Sequence, residues 1–138
     1  MSHHEKVIKY FSTPHIDERG ILTVITDNIP IDNFEIKRVY YVKTSKKNVI
    51  RGGHAHYKQT QILFDISGIL EIEYYSSIKN KKLLLTEYEG VIISPLIWVD
   101  IRSLTNNSLY IVLADGEYNE NEYIRDKDKF MELTSSDN

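Results

Sequence analysis

Two histidines, His54 and His56, stand one residue apart in the run Arg51-Gly52-Gly53-His54-Ala55-His56. On a strand, side chains alternate between the two faces, so both imidazoles project to the same side. Two imidazoles facing one cavity either hold a metal or move protons. Metal binding would need further donors, and the chain offers few. Gln61 is a weak ligand, Asp100 is a carboxylate that would have to substitute, and His15 is distant in sequence. Proton chemistry without metal is therefore the stronger expectation, because imidazole titrates near neutral pH and serves as acid or base there. His3 and His4, beside the start of the chain, are assigned no chemistry.

Other side chains suit a supporting role, each against a plainer structural one. Arg51 adjoins the pair, where a cation would bind phosphate or hold down the pKa of a neighbouring histidine, unless it is only a surface ion-pair partner. Arg38 and Tyr40 share one face of the run Ile36 to Lys43, expected beside the histidine strand. Tyr40 is placed to hydrogen-bond a sugar hydroxyl or a developing oxyanion, although it is one of ten tyrosines. Trp98, the sole tryptophan, is a stacking surface for a base or sugar ring, or a packing residue. Arg19, in the turn Asp17-Glu18-Arg19-Gly20, is a candidate phosphate clamp.

These residues must be positioned by strands. Short β-type runs separated by turn signals recur about every ten residues, the pattern of a sandwich or barrel. They are Gly20 to Thr26, Ile36 to Lys43, Val49 to His56, Gln61 to Ile66, Ile69 to Tyr75, Lys81 to Glu87, Gly90 to Ile93, Trp98 to Ser103 and Ser108 to Ala114. Leu70, Ile72 and Tyr74 alternate with Glu71, Glu73 and Tyr75, as in an antiparallel strand buried on one face. After Asp115-Gly116 the pattern changes, and Asn119 to Leu133 reads as a short C-terminal helix capped by Asn119 or Asn121. Thr134 to Asn138 reads as a frayed tail. The fold class expected is all-β, a double-sheet jelly roll whose open end offers a concave pocket.

The 138 residues suit a single domain, with the core at about 17–115 and the helix at about 119–133. A net charge of -3 argues against broad electrostatic binding to nucleic acid, and the short basic clusters at Lys46-Lys47 and Lys79-Lys82 each fall in an expected turn. Without cysteine there is no disulfide, thiolate metal site or cysteine nucleophile, which suits a cytoplasmic protein. No apolar run is long enough for a membrane helix, and the first residues lack the apolar core of a signal peptide.

The histidine pair with Gln61 and Gly68 behind it echoes the metal motif of cupins, but Gln61 occupies the glutamate position and Trp98-Val99-Asp100 the place of the distal histidine. A more specific resemblance lies in Lys37-Arg38-Val39-Tyr40-Tyr41-Val42, then Arg51 to His56, then Leu113-Ala114-Asp115 and Tyr123-Ile124-Arg125-Asp126. From about Asp17 to Phe130, and in the same order, the chain resembles the nucleotide-sugar 3,4-ketoisomerases. These are small cupins acting on dTDP-4-dehydro-6-deoxyglucose toward 3-amino-3,6-dideoxyhexoses, sugars of glycans such as lipopolysaccharide O-antigen. The resemblance implies a cupin-type jelly roll with no cofactor and no metal. It puts acid/base chemistry at His54 and His56 and the family's active-site tyrosine at Tyr40. It further implies a dTDP-linked keto-sugar substrate, Arg19, Arg51 and Arg102 on the diphosphate, and a homodimer in which an N-terminal strand pairs with the partner's sheet. The departure is Val99, where relatives often carry a polar or basic residue after the tryptophan.

The implied reaction needs no redox partner. A ketone at C4 acidifies the C3 hydrogen, one imidazole removes it, and the enediol collapses with the ketone at C3. Two alternatives remain among sugar enzymes and binders: a 3,5-epimerase, whose His-Asp and Tyr arrangement differs from this motif, and a sugar-binding cupin without turnover. A metal-dependent cupin oxygenase is the third.

Overall fold

The computed structural model describes residues 7–76 and 79–135; His3 and His4 lie outside them. The strands are β1 (Val7–Phe11), β2 (His15–Asp17), β3 (Gly20–Leu22), β4 (Arg38–Lys43), β5 (Ile50–His56) and β6 (Gln61–Ser67). They continue with β7 (Leu70–Tyr75), β8 (Asn80–Leu85), β9 (Glu89–Ile93), β10 (Trp98–Ser103), β11 (Leu109–Ala114) and β12 (Tyr123–Ile124), before helix α1 (Lys127–Ser135). Two five-stranded antiparallel sheets face each other, in the orders β1-β9-β6-β11-β4 and β12-β5-β10-β7-β8, with β2 and β3 forming a separate hairpin. This is the expected double-sheet jelly roll, closed by one short helix.

Alternation dictates the layers. Leu63, Val91 and Val112 of the first sheet meet Ile72, Val99 and Ile101 of the second in the central core. The opposite parity of the first sheet, including Ile62, Phe64 and Ile92, is covered by Ile25, Ile29, Ile31 and Phe34 from the β3–β4 connection. A third cluster, Ala55, Trp98, Ile124 and Phe130, lies on the outside of the second sheet beneath α1. Burying a side chain such as Phe130 is worth roughly 1.5–3 kcal/mol, so the helix is held mainly by that contact.

The chain differs from the sequence expectation at both ends. β1, unexpected as a strand, pairs with β9 and extends the core below residue 17. The run from Gly20 pairs only to Leu22, because its partner β2 is three residues long. The predicted helix at 119–133 is instead a 3-10 turn at Glu120–Glu122, the strand β12, and α1 from Lys127. Tyr123 and Ile124 pair with His56 and Ala55, and these backbone bonds hold the segment extended. Asn119 caps the 3-10 turn through its side chain, while Asp126 Oδ1 accepts the backbone N–H of Asp128 at 2.9 Å and opens α1. Thr134 and Ser135, expected in a frayed tail, belong to the helix, and the Thr134 hydroxyl donates to the Phe130 carbonyl at 2.8 Å.

Candidate active site

The two glycines before the histidines shape the strand that carries them. Opposite β5, Val99 pairs with His54 but Asp100 pairs with Gly52, so β5 has one residue more than its partner between these points. Gly52 and Gly53 both have positive φ, 87° and 73°, a conformation few other residues adopt without strain. A side chain at Gly52 would place its Cβ 2.8 Å from the Val99 carbonyl oxygen. The irregularity is a bulge of the kind that re-aims side chains next to active sites. Immediately beyond it His54 and His56 point the same way, as period two requires, with ring centroids 5.1 Å apart and planes at 86°.

A third ring completes the group. Tyr123, brought beside the pair by β12, lies 5.0 Å from the His54 ring and 4.5 Å from the His56 ring. Arg38 of β4 donates to the Tyr123 hydroxyl at 3.0 Å and to Gln59 Oε1 at 3.1 Å. The Arg38 guanidinium also sits 5.5 Å from the centre of the Tyr40 ring. On the outer side Arg125 stacks 4.3 Å above Tyr123 and is paired to Glu120 at 2.6 Å. Between the sheets, a cavity of about 90 Å³ is lined by Tyr40, Arg51, His54, Gln61, Val99 and Tyr110 among others.

The electrostatics favour neutral imidazoles. Burial pushes His56 down to about 3, helped by His54 and by the cations Arg38 and Arg125. Burial likewise lowers His54, with Arg125 and Arg38 adding to the effect. Both rings are therefore free bases at neutral pH, able to accept a proton. Burial raises Tyr40 and, further, takes Tyr110 up to about 12, so both phenols stay protonated and able to donate. Gln61 is buried and adjoins both His56 and Tyr40. Among the described residues no three His, Asp or Glu side chains converge as a metal would require.

Of the residues singled out by sequence, the fold brings Arg38, Tyr40, Arg51, His54 and His56 together. Three do not join them. Trp98 is buried in the cluster under α1, its ring 5.7 Å from Phe130. It has the wrong parity, because Val99 and Ile101 of the same strand face the core. Arg102 shares the outward parity of Trp98 and pairs with Glu71 at 3.6 Å. Arg19 is exposed on the hairpin and bound to Asp17 at 2.7 Å. Sequence reasoning missed Tyr123 as a site residue because its segment was read as helix; its position just before Ile124-Arg125-Asp126 was the available signal.

Comparison with known proteins agrees with this geometry. The family model described as "FdtA: WxcM-like, C-terminal" matches residues 4–135. A curated relative, the TDP-4-oxo-6-deoxy-alpha-D-glucose-3,4-oxoisomerase of Aneurinibacillus thermoaerophilus, is 33% identical over 124 residues, covering 89% of this chain and 88% of its own. The structure of QdtA, a sugar 3,4-ketoisomerase from Thermoanaerobacterium thermosaccharolyticum in complex with TDP, superposes with a TM-score of 0.85 at 32% identity, covering 94% of this chain and 95% of that one. A histidine-to-asparagine variant of the same enzyme, in complex with TDP-4-keto-6-deoxyglucose, gives a TM-score of 0.85 at 31% identity and 95% coverage of each chain. With the family model spanning nearly its whole length and such relatives on either measure, the chain belongs to the FdtA family of sugar 3,4-ketoisomerases.

Proposed function

We propose that this chain isomerises dTDP-4-dehydro-6-deoxyglucose to a dTDP-3-dehydro-6-deoxyhexose by proton transfer from and to two imidazoles, the half-buried His54 and the buried His56. The observation that carries the reading is the pair itself: His54 and His56 are edge to face, shifted toward the neutral form, and flanked by the donors Tyr40 and Arg38. A neutral imidazole takes the C3 proton that the C4 ketone acidifies. Charge then develops on O4, where a phenol or guanidinium stabilises it. Return of a proton to C4 leaves the ketone at C3, and the face of return sets the configuration there. Arg51, at the edge of the cavity, is assigned to the substrate diphosphate. The product would serve as precursor of a 3-amino-3,6-dideoxyhexose, and a cytoplasmic location belongs to the same reading.

We assign a homodimer as the working form. Among the described residues the β2–β3 hairpin pairs only with itself and exposes Ile16, Ile21 and Leu22, while β4, at the end of its sheet, exposes Val39 and Tyr41. Apolar side chains beside an unpaired strand edge suit pairing with a second copy.

The test is incubation of the metal-stripped protein with dTDP-4-dehydro-6-deoxyglucose in deuterated water, followed by NMR of the sugar. A 3-keto product is expected. Deuterium at C3 and C5 with the ketone still at C4 would identify a 3,5-epimerase, and bound but unchanged substrate a non-catalytic binder. His54→Asn and His56→Asn should each lower turnover by about 10²–10⁴-fold, the usual worth of a positioned acid/base group, with TDP binding retained in calorimetry. Wild-type turnover in both variants would remove the pair from the mechanism.

A further inference from the structure

The isomerisation moves two protons, and the imidazoles account most directly for the one on carbon. The other leaves O3 and arrives at O4. We propose that Tyr123 relays it, as a second catalytic tyrosine distinct from Tyr40; the inference rests on the ketoisomerase reading.

Three observations converge on Tyr123. Its ring touches both imidazoles, at 5.0 Å from His54 and 4.5 Å from His56, whereas no ring contact joins Tyr40 to either. Its hydroxyl oxygen accepts a bond from the Arg38 guanidinium at 3.0 Å, so the phenol is polarised by a cation that also steadies a phenolate. Its own proton has no acceptor among the described residues, although Tyr118 and Arg125 pack on the ring. A phenol with its oxygen fixed and its proton uncommitted can give that proton to one substrate oxygen and take another from the neighbouring oxygen.

The position of Tyr123 is overdetermined, as a catalytic donor requires. Its backbone pairs with that of His56 in the sheet. The next residue toward the N-terminus, Glu122, accepts the backbone N–H groups of Lys58 and Gln59 through Oε2, at 2.5 and 2.6 Å. Gln59 in turn takes the second bond from Arg38. The cation, the phenol and the histidine strand are thus tied into one frame.

The proton balance closes. An imidazole takes the hydrogen from C3 as the C4 carbonyl becomes an enolate, and the Tyr123 hydroxyl protonates O4. The resulting phenolate, beside Arg38, takes the proton from O3. The enolate formed at O3 re-forms a carbonyl at C3 while the imidazolium returns its proton to C4. No oxidant or reductant enters, and both enzyme groups end as they began.

Tyr123→Phe keeps the ring contacts and removes the hydroxyl, and with it the bond accepted from Arg38. The expected result is a loss of about 10²–10⁴-fold in turnover, with TDP affinity unchanged and deuterium still washing into C3 of the 4-keto sugar faster than 3-keto product appears. Turnover within a few-fold of wild type would overturn the relay, as would equal losses in exchange and isomerisation, which would mark Tyr123 as a positioning residue. Should Tyr123→Phe fold poorly, 3-fluorotyrosine at the same position, which keeps the hydroxyl but makes its phenolate a weaker base, must change the ratio of isomerisation to C3 exchange, and an unmoved ratio overturns the proposal. If the wild-type protein makes no 3-keto sugar, it is the isomerase reading that fails.

Discussion

Two buried titratable side chains pull the pH dependence of folding in opposite directions. His56 has a folded pKa of about 3 against 6.5 for a free imidazole, chiefly through burial. Between those values the unfolded chain binds the extra proton, so the stability held above 6.5 is lost as pH falls toward 3. Asp65 behaves the other way. It is fully buried in β6, neither carboxylate oxygen has a hydrogen-bond partner, and burial with Glu87 and Glu89 nearby raises it from 3.8 to about 7. Its protonated form suits the fold, so stability is complete below 3.8 and is lost as pH rises through 7. Asp65→Asn, which keeps the shape but cannot ionise, therefore should stabilise the protein under mildly alkaline conditions by roughly 1–3 kcal/mol, through the buried charge it avoids. Urea denaturation at several pH values checks this: the gain must shrink as the medium is acidified toward 3.8. A gain independent of pH would mean that Asp65 does not titrate in the folded state.

Above single side chains, the bulge in β5 does most to set the histidine geometry. Gly52→Ala would press a methyl group against the Val99 carbonyl at 2.8 Å in a φ region of 87°. The expected outcome is a folded protein with a loss of about 1 kcal/mol or more and turnover reduced at least ten-fold, because His54 follows directly. Comparing kcat with denaturation midpoints separates the two effects, and unchanged kcat would show that the bulge does not aim His54. Much of this arrangement was readable beforehand. Period-two alternation put His54 and His56 on one face, and the same rule put Arg38 with Tyr40. It also held the correction for Trp98 and Arg102, since Val99 and Ile101 claim the inward parity of β10. What alternation could not supply is register and pairing partner. Nothing local says that Tyr123-Ile124 pairs with Ala55 and His56, and the charged residues around it suit a helix equally well. The extended state wins through long-range backbone bonds to β5, so the tyrosine packed on both imidazoles stood in a recognisable motif without a role assigned to it.

For the molecule as a whole, the hairpin is the element that the chain's own core leaves unexplained. Ile16, Ile21 and Leu22 are 67%, 57% and 60% exposed, and none belongs to any of the three core clusters. Two short strands paired with each other alone are marginal in water, so a surface that covered them would stabilise them. The unpaired edge of β4 offers one, with Val39 and Tyr41 exposed on the outer face while Arg38 and Tyr40 of the same strand face the site. Assembly there would brace the strand that carries the cation at Tyr123. Replacing Ile21 and Leu22 together by aspartate should convert a dimer to monomer in sedimentation velocity, with the sheets intact by circular dichroism because neither side chain belongs to a core cluster. Turnover should fall with the loss of dimer, and Arg38 should be the residue whose environment changes. A variant that stays dimeric would place the interface elsewhere. A wild-type protein that is monomeric at micromolar concentration would remove the dimer from the account, leaving the histidine chemistry to be judged within one chain.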